Sequence, residues 1–143
     1  MKKMMSINSN KVFHLKTEVY KQMVEHCISE APIEACGFIS GKGQVGLTCW
    51  PVPNEKESPV RFAISEDVLK DTFNKIEKKG EQLTGIFHSH PTTRAYPSFN
   101  DIKNHTYPTV VYIIISLLKK EPVVNCFYIN KNREVTTLIL KLI

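Results

Sequence analysis

No two of the four cysteines are spaced as Cys-x-x-Cys; Cys27, Cys36, Cys49 and Cys126 are scattered along the chain. That excludes a cysteine zinc knuckle and a thioredoxin-type redox pair, and makes buried reduced thiols the plain reading. Long apolar runs are missing as well. The longest, Thr109 to Leu118, is about half of the roughly 20 residues that a membrane-spanning helix requires, so no membrane span is expected. The first residues read Met-Lys-Lys-Met-Met-Ser and lack the apolar centre and small-residue cleavage site of a secretory signal, which sets the expectation of a cytoplasmic protein. Repeats, low-complexity tracts and long linkers are absent too. One domain over residues 11–143, behind a flexible start over residues 1–10, is therefore expected.

What is present describes an ordinary soluble domain: 143 residues, 42% hydrophobic, with 19 Lys and Arg against 14 Asp and Glu for a net charge of +5. A chain of this size buries about two-thirds of its unfolded surface and needs no metal or disulfide to hold together. A metal, if bound, would serve chemistry. Residues 1–71 carry nine basic and nine acidic residues and residues 72–143 carry ten and five, so the whole excess lies in the second half. This suits an acidic partner or a substrate carboxylate, but Lys78, Lys79, Lys119 and Lys120 also read as solvated ends of elements. No nucleic-acid recognition motif is present, and no nucleic-acid partner is expected.

Residues 12–15 read as a short strand. Thr17 then precedes a helical pattern that puts Val19, Met23, Cys27, Val24 and Ile28 on one side, ended by Ala31 and Pro32. A hairpin follows over Ala35 to Val52, with its turn at Gly41 to Gly43. Arg61 to Ile64 reads as another strand. Ser65 is placed to cap a helix carrying Val68, Leu69, Phe73 and Ile76, stopped by Lys78, Lys79 and Gly80. Gln82 to Phe87 is a strand running into His88-Ser89-His90, and Pro91 to Pro97 is loop. Ser98 and Asp101 have the spacing of a capping box on a short helix. The remainder reads as strands over residues 109–117, 123–129 and 135–142. Strands interrupted by two substantial helices give an α+β class, with a three-layer mixed β-sheet flanked by helices.

The chemistry is concentrated in residues 88–101. Two histidines two apart at a strand end point to the same face, so both imidazoles reach one ion without bending the chain. Asp101 supplies a carboxylate a short loop later. His88, His90 and Asp101 then make three nitrogen and oxygen ligands, the number a catalytic zinc uses when water holds its fourth position; a structural zinc would take four protein ligands. One zinc per chain is the expected ion, although such a ligand set also accepts iron or manganese. Hydrolysis further needs a group that moves a proton from the water to the leaving amine. Glu34, at the start of a strand and flanked by apolar residues that would raise its pKa, is the candidate. Ser98 is placed to donate its hydroxyl to an oxyanion.

A lone histidine at a strand end is commonly structural, and Ser98 alone is a helix cap. The set is different: with this composition, the pattern H-x-H-x7-S-x2-D arises by chance in about 2 of 10,000 shuffled chains. His14, His26 and His105 have no comparable companions and read as surface or core residues. Cys36 shares a strand face with Glu34 and could lie near the metal, or could pack beneath the site. Arg94, in the loop between ligands, could bind a substrate carboxylate or stand idle.

Glu34 followed by His88, His90, Ser98 and Asp101 at this spacing resembles the signature of the JAMM (MPN-plus, JAB-domain) metallopeptidases. The surroundings, Glu34-Ala35-Cys36-Gly37-Phe38, Gly85-Ile86-Phe87-His88-Ser89-His90-Pro91 and Tyr96-Pro97-Ser98, are similar to the small prokaryotic branch, and the order of elements fits from about residue 11 onward. The resemblance implies a mixed sheet between helices and zinc held by His88, His90 and Asp101. It implies cleavage of peptide or isopeptide bonds after ubiquitin-like C-terminal tails. Similar prokaryotic proteins release an amino acid from, or trim, sulfur-carrier proteins to expose a Gly-Gly terminus.

Only residues 101–108 separate the last ligand from the next strand, so the long insertions of eukaryotic deubiquitinases have no counterpart. That favours a simpler groove, such as one in which a substrate strand adds to an exposed sheet edge. The DNA-repair relatives of the family have a different context around residues 36–38, and zinc deaminases need a P-C-x-x-C pair that is missing. Two alternatives stay open: a noncatalytic scaffold of the same fold that binds a protein partner, and a hydrolase of cell-wall or phage-tail peptides. Nothing in the pattern opposes a homodimer.

Overall fold

The computed structural model describes residues 11–107 and 109–143; the start over residues 1–10 expected to be flexible lies outside them. Its elements, in chain order, are β1 (Val12–Leu15), α1 (Thr17–Glu30), β2 (Cys36–Lys42), β3 (Val45–Val52), α2 (Glu66–Lys78), β4 (Gln82–His90), α3 (Phe99–Lys103), β5 (Val111–Ser116), β6 (Val123–Ile129) and β7 (Val135–Leu142). The strands lie in the order β1-β3-β2-β4-β5-β6-β7, and β1 pairs with β7 as well as β3, which closes the sheet on itself. The β4–β5 and both β1 pairings are parallel and the rest antiparallel. The mixed sheet with helices on its faces is the α+β architecture that the sequence indicates; its closure is new. Among the described residues the closure is thin between β1 and β3, where β1 pairs with Val45 and Gly46 alone.

Side chains alternate across the strands and sort into two cores. On one face, Phe13, Leu15, Ile39, Phe87, Ile113 and Ile115 pack against Val19, Met23 and Cys27 of α1. On the other, Cys36, Phe38, Ile86 and Tyr112 pack with Val68, Leu69 and Phe73 of α2. Helix α1 buries its i, i+4 stripe of Val19, Met23 and Cys27. Ile28, expected on that side, is 53% exposed because it lies one step round the helix from the end of the stripe. Helix α2 begins as expected, with the Val68 N–H donating to the Ser65 hydroxyl, and stops at Gly80, whose φ of +76° suits glycine.

Arg61 to Ile64 is not a strand. Its polar backbone is taken up locally: the Arg61 carbonyl accepts from the Asn54 side chain, the Ala63 N–H donates to the same side chain, and the Ala63 carbonyl accepts from the Glu55 N–H. With those groups satisfied, no ladder forms. The apolar alternation that suggested a strand comes from Phe62 and Ile64 packing on the α2-side core. The hairpin turn falls at Gly43 and Gln44, past a register shift between Ser40 and Gly41 that the sequence pattern does not reveal.

Gly37 lets β2 lie close to β4. A Cβ at this position would meet the Phe87 ring and, at 2.6 Å, the Trp50 carbonyl oxygen. The carbonyl belongs to the paired β3 backbone and cannot swing away, so Gly37→Ala is expected to lower stability by about 3 kcal/mol. Gly43→Ala, where φ is +60° and nothing stands within 4 Å, should lose only about 1 kcal/mol to backbone strain. Urea titration of both variants measures the difference; equal losses would refute the close-approach explanation.

Candidate metal centre

The end of β4 builds the centre. Ile86 belongs to the α2-side core and Phe87 to the α1 side, so the two-residue period puts His88 and His90 on the α2 face and turns Ser89 to the other. Both histidines are buried, at 3% and 4% exposure. Asp101 comes from α3, and a complete capping box sets its position: the Asp101 N–H donates to the Ser98 hydroxyl, and the Ser98 N–H donates to Asp101 Oδ2 at 2.8 Å. His88 Nε2, His90 Nε2 and Asp101 Oδ2 form a triangle with sides of 3.1, 3.2 and 3.0 Å.

This triangle fits a cation. His90 Nδ1 lies 2.8 Å from the Arg94 carbonyl, an acceptor, so Nδ1 carries the proton and the neutral ring presents a lone pair at Nε2. A lone pair 3.0 Å from a carboxylate oxygen and 3.1 Å from a second imidazole nitrogen is relieved only by a proton or a metal cation in the gap. One point lies about 2 Å from all three atoms, roughly the distance zinc keeps to imidazole and carboxylate ligands. The electrostatics agree. Burial alone would raise the Asp101 pKa, but hydrogen bonds to His88 and His90 and the Ser98 N–H hold it well below the usual carboxylate range. Burial likewise works to lower the His90 pKa, and its contacts with Asp101 and the Arg94 carbonyl overcome that and raise it.

Glu34 lies two residues before β2 rather than at the start of a strand, and its backbone is fixed from both sides. Its N–H donates to the Ser58 carbonyl and its carbonyl accepts from the Asn54 side chain at 2.9 Å. The next residue, Ala35, donates its N–H to the Ser89 hydroxyl at 2.8 Å. Glu34 lines a cavity of about 190 Å³ together with Lys56, Arg61, Phe62, Asn100 and Asp101. Burial, with a smaller contribution from the Asp101 charge and opposed by His90, pushes the Glu34 pKa up to about 8. The structure therefore brings Glu34, His88, His90, Ser98 and Asp101 to one place.

Other residues singled out from the sequence lie elsewhere. Cys36 stands opposite His88 in register, but its thiol faces the Val52 and Pro53 carbonyls at 3.8 Å, and burial pushes its pKa up to about 12, so it packs rather than reacts. The Arg94 guanidinium lies 4.8 Å over the Tyr96 ring and borders a separate cavity of about 280 Å³ with Lys119, Leu118 and Phe127. His105 hydrogen-bonds the Ile102 carbonyl and has no part in the triangle.

Several contributing residues carry no sequence signal of their own. Phe62 stacks on His88 with ring centroids 4.8 Å apart. Three successive carbonyls of the ligand loop are gripped: Thr93 by the Ser116 hydroxyl, Arg94 by His90 and Ala95 by the Asn125 amide. Asn54, following a proline in a polar loop, is the one that turn chemistry could have flagged.

The sequence profile described as prokaryotic homologs of the JAB domain matches residues 16–130. The chain is 29% identical over 107 residues to the CysO-cysteine peptidase of Mycobacterium tuberculosis, covering 73% of each. It is 27% identical over 97 residues to the desampylase of Pyrococcus furiosus, covering 68% of this chain and 69% of that one. A protein of Desulfitobacterium hafniense solved in solution superposes with a TM-score of 0.83 at 30% identity over 92% of both chains. A JAB1/MPN domain protein from Archaeoglobus fulgidus shares the fold, with a TM-score of 0.62 at 18% identity over 92% of this chain and 98% of that one.

The raised Glu34 pKa fixes a sign for stability. An ordinary glutamate loses its proton near 4.5, whereas folded, metal-free protein holds it to about 8. This contribution to stability is complete below pH 4.5 and is lost as pH rises to 8. Metal-free Glu34→Gln has no such dependence, so its melting temperature relative to the parent should rise across that interval. A constant difference between the two thermal-melt series would show that Glu34 titrates normally.

Proposed function

Because the chain belongs to the family of prokaryotic homologs of the JAB domain, we propose that it is a zinc-dependent peptidase or isopeptidase acting at the C-terminal tail of a ubiquitin-like or sulfur-carrier protein. The observation that carries this reading is the convergence of His88, His90 and Asp101 on one point, beside a cavity that Glu34 and Asp101 both line. Relatives named as a CysO-cysteine peptidase and a desampylase support the substrate class.

A zinc ion held by His88, His90 and Asp101 would lower the pKa of a bound water and polarise the substrate carbonyl. Glu34 accepts the proton that the attacking water gives up and hands it to the departing nitrogen, a role suited to a carboxyl whose pKa lies near neutrality. The Ser98 hydroxyl oxygen already accepts the Asp101 N–H. Its own hydrogen is therefore left to donate to the oxygen on which negative charge develops. His90 is held in one tautomer by the Arg94 carbonyl, and Phe62 covers the face of His88. These contacts keep both nitrogens aimed without rearrangement during the reaction.

Elemental analysis of protein purified without chelator should find about one zinc per chain in the parent and little in His88→Ala or Asp101→Ala. A parent that takes up no metal when zinc is supplied would sink the mechanism. Glu34→Gln should retain the zinc and lose activity by about 100-fold to 10,000-fold on a tailed ubiquitin-like substrate. Hydrolysis at the parental rate would remove Glu34 from the role of proton carrier.

A further inference from the structure

The cavity beside the metal centre contains two cations that the mechanism does not use. Lys56 and Arg61 line it with Glu34 and Asp101. Their side chains are exposed, and among the described residues neither takes part in an ion pair. Asp101 Oδ2 is committed to His88, His90 and the Ser98 N–H, and the ion pairs of Asp101 among the described residues are with the two histidines and not with these cations. Nor does their loop float. The Asn54 side chain accepts from the Lys56 and Ala63 N–H groups and donates to the Arg61 and Glu34 carbonyls. One buried amide thus ties both cationic positions to the backbone of the residue that moves the proton.

We propose that Lys56 and Arg61 form a carboxylate subsite that takes the free α-carboxylate of the residue released from the substrate tail. The proposal rests on the peptidase reading and sharpens its substrate: an α-linked C-terminal residue in preference to a lysine isopeptide. In hydrolysis the water oxygen bonds to the carbonyl carbon, the C–N bond breaks and the leaving nitrogen takes the proton from Glu34. In an α-linked residue the carboxylate sits two bonds from that nitrogen, so a leaving group beside Glu34 carries its carboxylate into the cavity where Lys56 and Arg61 stand. It is held there unchanged through the reaction. A lysine isopeptide offers a four-carbon stem at the same place and leaves both cations unpaired. The guanidinium fork of Arg61 suits a carboxylate in particular.

The test compares acetyl-Gly-Gly-Ala as the free acid and as the amide. Isothermal titration of zinc-loaded Glu34→Gln measures binding without turnover, and the parent measures hydrolysis. The acid is expected to bind about tenfold or more tighter than the amide, with the ratio falling toward one when Lys56→Gln and Arg61→Gln are added. Equal binding of the two peptides, or none of either, overturns the subsite, as does a preference that survives both substitutions. Equal binding with both peptides hydrolysed leaves the peptidase reading standing without the subsite. Preferential binding of the acid with no hydrolysis by the parent leaves the subsite standing and removes the peptidase reading.

Discussion

The alternation of side chains along β4 is the constraint on which the site depends. Three consecutive residues divide between the two faces of one strand. His88 and His90 turn to the α2 face and converge on Asp101, while Ser89 turns to the α1 face and accepts the Ala35 N–H. The same three positions thus present two imidazoles to Asp101 and fix Ala35, the residue that follows Glu34. β4 is held on both sides, antiparallel to β2 as far as His88 and parallel to β5 through His90. A slip of one residue in either ladder would exchange the faces and take both imidazoles away from the aspartate.

Around this rigid strand, the loops are made precise by side chains rather than by length. The ligand loop is fastened at Thr93, Arg94 and Ala95 by groups from β5, β4 and β6. The loop between β3 and α2 is gathered on Asn54, which is 6% exposed and fully engaged. Contacts of this kind behind metal ligands change metal affinity or activity by about 10-fold to 100-fold when lost. They take little sequence: one serine and two asparagines.

What was legible beforehand follows from this division. The ligand set is read from spacing because its residues lie within 14 positions and because strand and capping-box periodicities are local. Both long helices show through their apolar stripes for the same reason. Arg61 to Ile64 misled because local pattern reports packing without saying which neighbour is packed against, and Ile28 because the buried stripe ends at Cys27. Closure of the sheet through β1 and β7 joins residues more than 120 positions apart, and nothing local encodes it. Lys56 and Arg61 were invisible in the same way, since only the fold brings their loop against Glu34 and Asp101; Asn54 alone carried a turn signal. Arg94 drew attention as a cation between ligands, yet its guanidinium stacks on Tyr96 beside another cavity.

The charges of the site are interdependent, and this bears on when it can act. In metal-free protein the burial of Glu34 and the nearby Asp101 carboxylate both favour the protonated carboxyl, with only His90 opposing them. A neutral carboxylic acid is a poor base. Positive charge placed between His88, His90 and Asp101 offsets the field of the aspartate at Glu34 and favours its ionised form, since a bound cation inverts the local pKa logic. In the proposed mechanism, a cation held by His88, His90 and Asp101 would thereby favour the ionised carboxyl that accepts a proton. Burial of Glu34 would then link the readiness of that carboxyl to occupancy of the centre.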